Sequence, residues 1–150
     1  MPLSHLRTVG AMLLTIATVG CAESSAPAHV VQSLYVAESV NGAALPVELL
    51  VIGTVHRYLD ASSIAFETGA QARQVQTIRS LDDANPGVPV LSTNTAYYDV
   101  TMSGDTTWLH ARCTGPMASC VAPIALVRVG DTYQEVISYE PLRTMTLVRH

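Results

Sequence analysis

Residues Thr95 to Arg112, TAYYDVTMSGDTTWLHAR, admit very few folds. Gly104-Asp105 has the composition of a two-residue primed turn, in which Gly or Asp takes a positive φ. Counting outwards pairs Met102 with Thr107, Val100 with Leu109 and Tyr98 with Ala111 on one face. The other face pairs Thr101 with Trp108, Asp99 with His110 and Tyr97 with Arg112. The first face is apolar and the second polar. Because side chains in a strand alternate with a period of two, a slip of one residue would scramble both faces, so the hairpin register is strongly specified.

The register can be carried further. If Cys113 faces Cys120 across the short loop TGPMAS, Leu109 meets Ile124 and Thr107 meets Leu126, again on the apolar side. Gly130-Asp131-Thr132 repeats Gly104-Asp105-Thr106 and starts another hairpin, which sets Leu126 opposite Glu135. Glu135 is then a polar intrusion on the apolar face, with diagonal Arg128 as its expected neighbour. Other strands are expected at Val30–Glu38, Val47–Ile52, Ser63–Glu67, Ala72–Ser80 and Arg143–Arg149, with Asn41-Gly42 as a turn and Leu81–Leu91 as the longest loop. A helix over residues 61–80 competes with two of these strands, since AQARQVQTIRS has few breakers. Short strands separated by turn signals predict an all-β fold. An antiparallel meander of about eight strands closes most readily into an up-and-down, lipocalin-like barrel.

The N-terminus reads as an address. His5 and Arg7 precede an apolar run, Thr8 to Gly20, which stops at Cys21. A helix needs roughly 20 apolar residues to span the hydrocarbon core, so this run is read as a secretory h-region. Gly20-Cys21, with Thr18 and Val19 upstream, resembles the lipobox of bacterial lipoproteins. The resemblance implies that Cys21 is lipidated and becomes the mature N-terminus. Ala22, standing where Asp would favour inner-membrane retention in that family, implies the outer membrane. Ordinary secretion and an uncleaved anchor are the alternatives. The expected organisation is a signal peptide over residues 1–20, a lipidated cysteine with a flexible tether over 21–30, and one domain over 31–150.

Cysteine usage fits an oxidising envelope. Three cysteines leave Cys21 as the odd one, and Cys113 with Cys120 then form either a disulfide or two free thiols. No further ligand stands near them at zinc-like spacing, so no metal is expected. The chain carries 12 acidic residues against 8 arginines and no lysine. The arginines are scattered, which argues against a nucleic-acid partner, because counterion release needs clustered basic charge.

A lipobox, a tether, a strand ending in VNGAALP (Val40 to Pro46) and hairpins carrying repeated GDT turns together resemble small lipocalin-like or META-like bacterial envelope lipoproteins. The resemblance implies a β-barrel and no particular chemistry.

Motifs for chemistry are missing: the sequence has no GxSxG, GxxxxGK[ST], HExxH or CxxC. Of the histidines, only His56 and His110 fall where a site is expected. Asp99 opposite His110 reads either as an oriented general base or as a cross-strand pair on a solvated face. Tyr97, Asp99, Trp108, His110 and Arg112 make an aromatic and polar platform suited to a binding surface. Glu135, inside a barrel, can orient a ligand. The expected function is a non-catalytic envelope lipoprotein, without cofactor, that meets the membrane through its lipid and binds a small apolar ligand or an envelope protein. A structural or assembly-assisting lipoprotein with a filled core is the alternative, and a hydrolase using Asp99 and His110 a remote one.

Overall fold

The computed structural model describes residues 30–112, 122–139 and 142–150, which form ten antiparallel strands and no helix. In chain order they are β1 (Val31–Val40), β2 (Ala43–Ala44), β3 (Val47–Ile52), β4 (Val55–Glu67), β5 (Gln71–Asp82), β6 (Val90–Ser103), β7 (Thr106–Ala111), β8 (Ile124–Val129), β9 (Thr132–Tyr139) and β10 (Leu142–Arg149). From β4 to β10 each strand pairs with the next. β10 then pairs with β1, and β1 pairs with β4 through Leu34 opposite Ala65, which closes an eight-stranded barrel. β2 and β3 run beside β1 and β4 where those two part: Ser39 faces Ala44 and Val47 faces Leu59. The expected lipidation at Cys21 and the Cys113–Cys120 bridge lie outside the described residues.

The β6–β7 hairpin is present in the expected register. Tyr98 faces Ala111, Asp99 faces His110, Val100 faces Leu109 and Thr101 faces Trp108. Arg112 N–H donates to the Tyr97 carbonyl at 3.0 Å. Leu109 meets Ile124, Thr107 meets Leu126, and Leu126 meets Glu135, as the counting required. Gly104 and Gly130 take φ of 58° and 61°, the left-handed region that a primed turn demands.

The strands expected within residues 61–80 are present and the competing helix is not, whereas Met102 and the start of β4 depart from expectation. Residues 61–80 are not helical: they form most of β4 and β5, which pair along their whole length across a turn at Gly69 (φ 78°) and Ala70 (φ 55°). Ala72, Gln74, Gln76 and Ile78 alternate on the barrel's inner face, and a helix would scatter them around its circumference. Met102 is 73% exposed instead of joining the apolar face, because the hairpin tip overhangs the end of the staggered barrel. β4 also begins at Val55, well before Ser63. Its polar first half is held by Arg79 Nε, which donates to both carboxylate oxygens of Asp60 at 3.1 Å while its guanidinium lies 5.0 Å from the Tyr58 ring centroid.

The two ends of the barrel differ. One end carries the tight turns at 68–70, 104–105 and 130–131, together with the start of β1 and the end of β10. Tyr35, Phe66 and Tyr133 plug it from within, with ring centroids 4.9–5.9 Å apart. Thr107 Oγ1 donates to the Tyr133 hydroxyl at 3.3 Å, so the plug is polar-satisfied as well as packed. The middle is filled by Ile64, Leu109, Leu126, Met145 and Leu147, all fully buried. At the opposite end β4, β5 and β6 project beyond the other strands, and the exposed Leu50, Val51, Ile52, Val88, Val90 and Leu91 sit on their tips and on β3. The β1–β2 turn is bolted to β10 there. Asn41 N–H donates to the Thr144 carbonyl at 2.9 Å, Thr144 N–H donates to Asn41 Oδ1 at 2.8 Å, and an Arg143 guanidinium N–H donates to the Glu48 carbonyl.

Candidate functional site

Three inward-facing polar side chains meet where the filled middle of the barrel ends. Gln74 comes from β5, Tyr98 from β6 and Glu135 from β9. Four steps around the eight-stranded ring separate β5 from β9 in either direction, so these strands are diametrically opposed. Gln74 Nε2 nevertheless donates to Glu135, at 3.2 Å to Oε2 and 3.5 Å to Oε1, and the Tyr98 hydroxyl donates to Gln74 Oε1 at 3.1 Å. A hydrogen-bonded crossbar therefore spans the barrel.

Above the crossbar, towards the projecting strands, a pocket of about 320 Å³ opens. Leu49, Leu59, Ile124 and Ile137 supply its apolar walls, Gln76 a polar point on the wall, and the crossbar its floor. Such a mixture of apolar wall and few convergent polar groups, in the mouth of a barrel, is the usual make-up of a small-molecule site. At the plugged end the rings fill the lumen, and the cavity of about 500 Å³ found there is lined by Tyr35, Arg128, Asp131, Arg149 and His150 instead of by apolar walls.

Glu135 is 4% exposed. Burial, opposed by the Gln74 hydrogen bond, pushes its carboxyl up to about 7, because taking a carboxylate out of water penalises the charged form. Burial and the Glu135 charge also raise the Tyr98 phenol above its ordinary value. Arg128, the neighbour expected from the sequence, is exposed near the other end of the barrel and donates from Nε to the Gly130 carbonyl at 3.1 Å. Gln74 takes the place expected of it. Ser62, buried on the inner face of β4 and opposite Gln76 in register, has no hydrogen-bond partner for Oγ among the described residues.

The platform expected on the hairpin lies on the outer face. Tyr97, Asp99, Trp108, His110 and Arg112 are all solvent-accessible on β6, on β7 or just after it. Their pairings differ from the acid–base reading: Asp99 accepts from Arg112 Nε at 2.8 Å and from its terminal nitrogen, whereas His110 Nε2 lies 3.0 Å from Thr101 Oγ1. Asp99 and His110 share a register position without forming a pair.

His56 sits elsewhere, on the projecting strands. Its Nδ1 lies 2.8 Å from Glu48 and its Nε2 3.1 Å from Asp83, and the imidazole stacks on Tyr58 at 18°. The Glu48 hydrogen bond is the largest cause raising its pKa, and the same bond lowers that of Glu48. Among the described residues no group of three or more His, Cys, Asp and Glu side chains is placed to hold a metal ion.

Gln74, Gln76, Leu49 and Leu59 were not legible as site residues in the sequence. A signal existed in the alternation of Gln74 and Gln76 with outward side chains. Nothing told which parity faced inward, because the residues between β5 and β6 hide the register that puts Ala72 opposite Tyr98. Comparison with protein-family models, curated proteins and solved structures returned no match.

Proposed function

We propose that this chain is a non-catalytic binding barrel, carried in the bacterial envelope on a lipidated Cys21, which takes a small apolar ligand in the pocket above the Gln74–Glu135 crossbar. The observation that carries the reading is the asymmetry of the barrel: one end is plugged by aromatic rings, and the other holds an apolar pocket on a polar floor. A purely structural barrel has no use for a buried carboxyl at the base of a pocket, since filling that position with an apolar side chain would be more stabilising. β1 begins at the plugged end, so Val31 and the pocket mouth lie at opposite ends of the barrel.

Binding of an apolar fluorophore tests the pocket. Ile137→Trp fills the space above the crossbar and should abolish binding while the protein still unfolds cooperatively. Binding that survives this substitution unchanged would place the ligand elsewhere and remove the reading. Lipidation has a separate test: Cys21→Ser should release the protein from membranes, and retention would mean the anchor is not a lipid on that residue.

A further inference from the structure

The floor of the pocket has a direction. The Tyr98 hydroxyl donates to Gln74, and the Gln74 amide nitrogen donates to Glu135, so the donors run one way and end on a carboxyl group. Both sides of the Gln74 amide are committed by these bonds. Two carboxylate oxygens offer about four acceptor positions, and Gln74 fills only part of that capacity. Among the described residues Gln74 is the sole hydrogen-bond partner of Glu135, and neither an arginine nor a histidine forms an ion pair with it. The side chains nearest in register are Leu126 on β8 and Met145 on β10, both apolar and fully buried. Among the described residues Tyr98 is the only other titratable group on the floor.

A buried carboxyl with open acceptor positions, no counter-ion and an apolar chamber above it defines what would complete it. We infer that the pocket selects amphipathic primary amines, with the ammonium head seated on Glu135 and the hydrocarbon tail lying against Leu49, Leu59, Ile124 and Ile137. This rests on the pocket reading above and adds to it the chemical class of the ligand. An ammonium group supplies three donors and the missing positive charge, whereas a hydroxyl head supplies one donor and no charge. A carboxylate head would set like charge against Glu135. The amine also explains the buried acid: a charge-assisted hydrogen bond in a water-poor site is stronger than a neutral one and offsets the desolvation of both groups.

The proton balance follows from the raised carboxyl. Below about pH 7 Glu135 is largely protonated in the free protein, so an incoming ammonium ion displaces its proton to solvent. Amine affinity therefore rises with pH from 5.5 to 8, while the affinity of a neutral alcohol stays flat. Tyr98, with its phenol raised above the ordinary value, remains neutral throughout this range.

Titration calorimetry on the purified full chain with hexylamine, hexan-1-ol and hexanoate at pH 8 and pH 5.5 tests the assignment. The expected result is a preference of roughly tenfold or more for hexylamine over hexan-1-ol at pH 8, shrinking at pH 5.5 with proton release on binding. In Glu135→Gln, hexan-1-ol should still bind, and both the preference and its pH dependence should vanish. Equal binding of the amine and the alcohol to the wild-type protein, or tighter binding of hexanoate, would overturn the amine assignment and leave the pocket standing. Failure of all three compounds to bind would remove the pocket reading and the assignment with it.

Discussion

Glu135 places an ionisable group where hydration is lost and only one amide compensates for it, and that choice has a thermodynamic signature. Its carboxyl, raised to about 7 from an ordinary value of 4.5, holds a proton in the folded state that the unfolded chain has released between those two pH values. The folded state binds more protons there, so the contribution of Glu135 to stability falls as pH rises from 4.5 through 7. Spread over that interval, the loss is on the order of 3 kcal/mol. Glu135→Gln keeps the shape and the hydrogen bond to Gln74 without the charge. Urea denaturation should therefore find the variant more stable than the wild type at pH 8 by up to that amount, and nearly equal to it at pH 4. A variant less stable at pH 8 would mean that the carboxylate is compensated by a partner beyond Gln74.

At the level of the strands, most of the structure depends on side-chain alternation, which the β6–β7 hairpin shows most sharply. Leu109 is 0% exposed between Val100 and Ile124, whereas His110, next in sequence, points to solvent. Leu109→Ala should cost about 2–5 kcal/mol through lost burial and the cavity left behind, and His110→Ala should stay within about 0.5 kcal/mol. Equal losses in chemical denaturation would contradict the face assignment. This part of the fold was legible because two Gly-Asp turns fix the β6–β7 and β8–β9 registers and the assumption that Cys113 faces Cys120 joins the two hairpins, so that even Glu135 could be placed inside by counting. Met102 shows the limit of that reasoning. Alternation gives the face of a residue and says nothing of how far along a staggered barrel the face is covered. Residues 61–80 were harder, since polar side chains on both faces of β5, Gln74 and Gln76 inside and Arg73, Thr77 and Arg79 outside, mask the period. Their pairing is fixed by the barrel rather than by local preference.

For the whole molecule, closure does what no single strand can. The β1–β4 pairing joins residues far apart in sequence, removes the sheet edge at the plugged end and brings β5 across from β9. From the sequence, Glu135 could be assigned to the interior but its partner could not, because Gln74 meets it across the lumen and no strand-by-strand count reaches that far. The barrel is accordingly divided by the crossbar into a filled half and an open one. Intermolecular NOEs between an apolar ligand, hexan-1-ol, and the protein's methyl groups test this division most directly. The division predicts contacts to Leu49, Leu59, Ile124 and Ile137 above the crossbar and none to Leu109, Leu126 or Leu147 below it. Contacts reaching the lower set, or absent from the upper one, would contradict it.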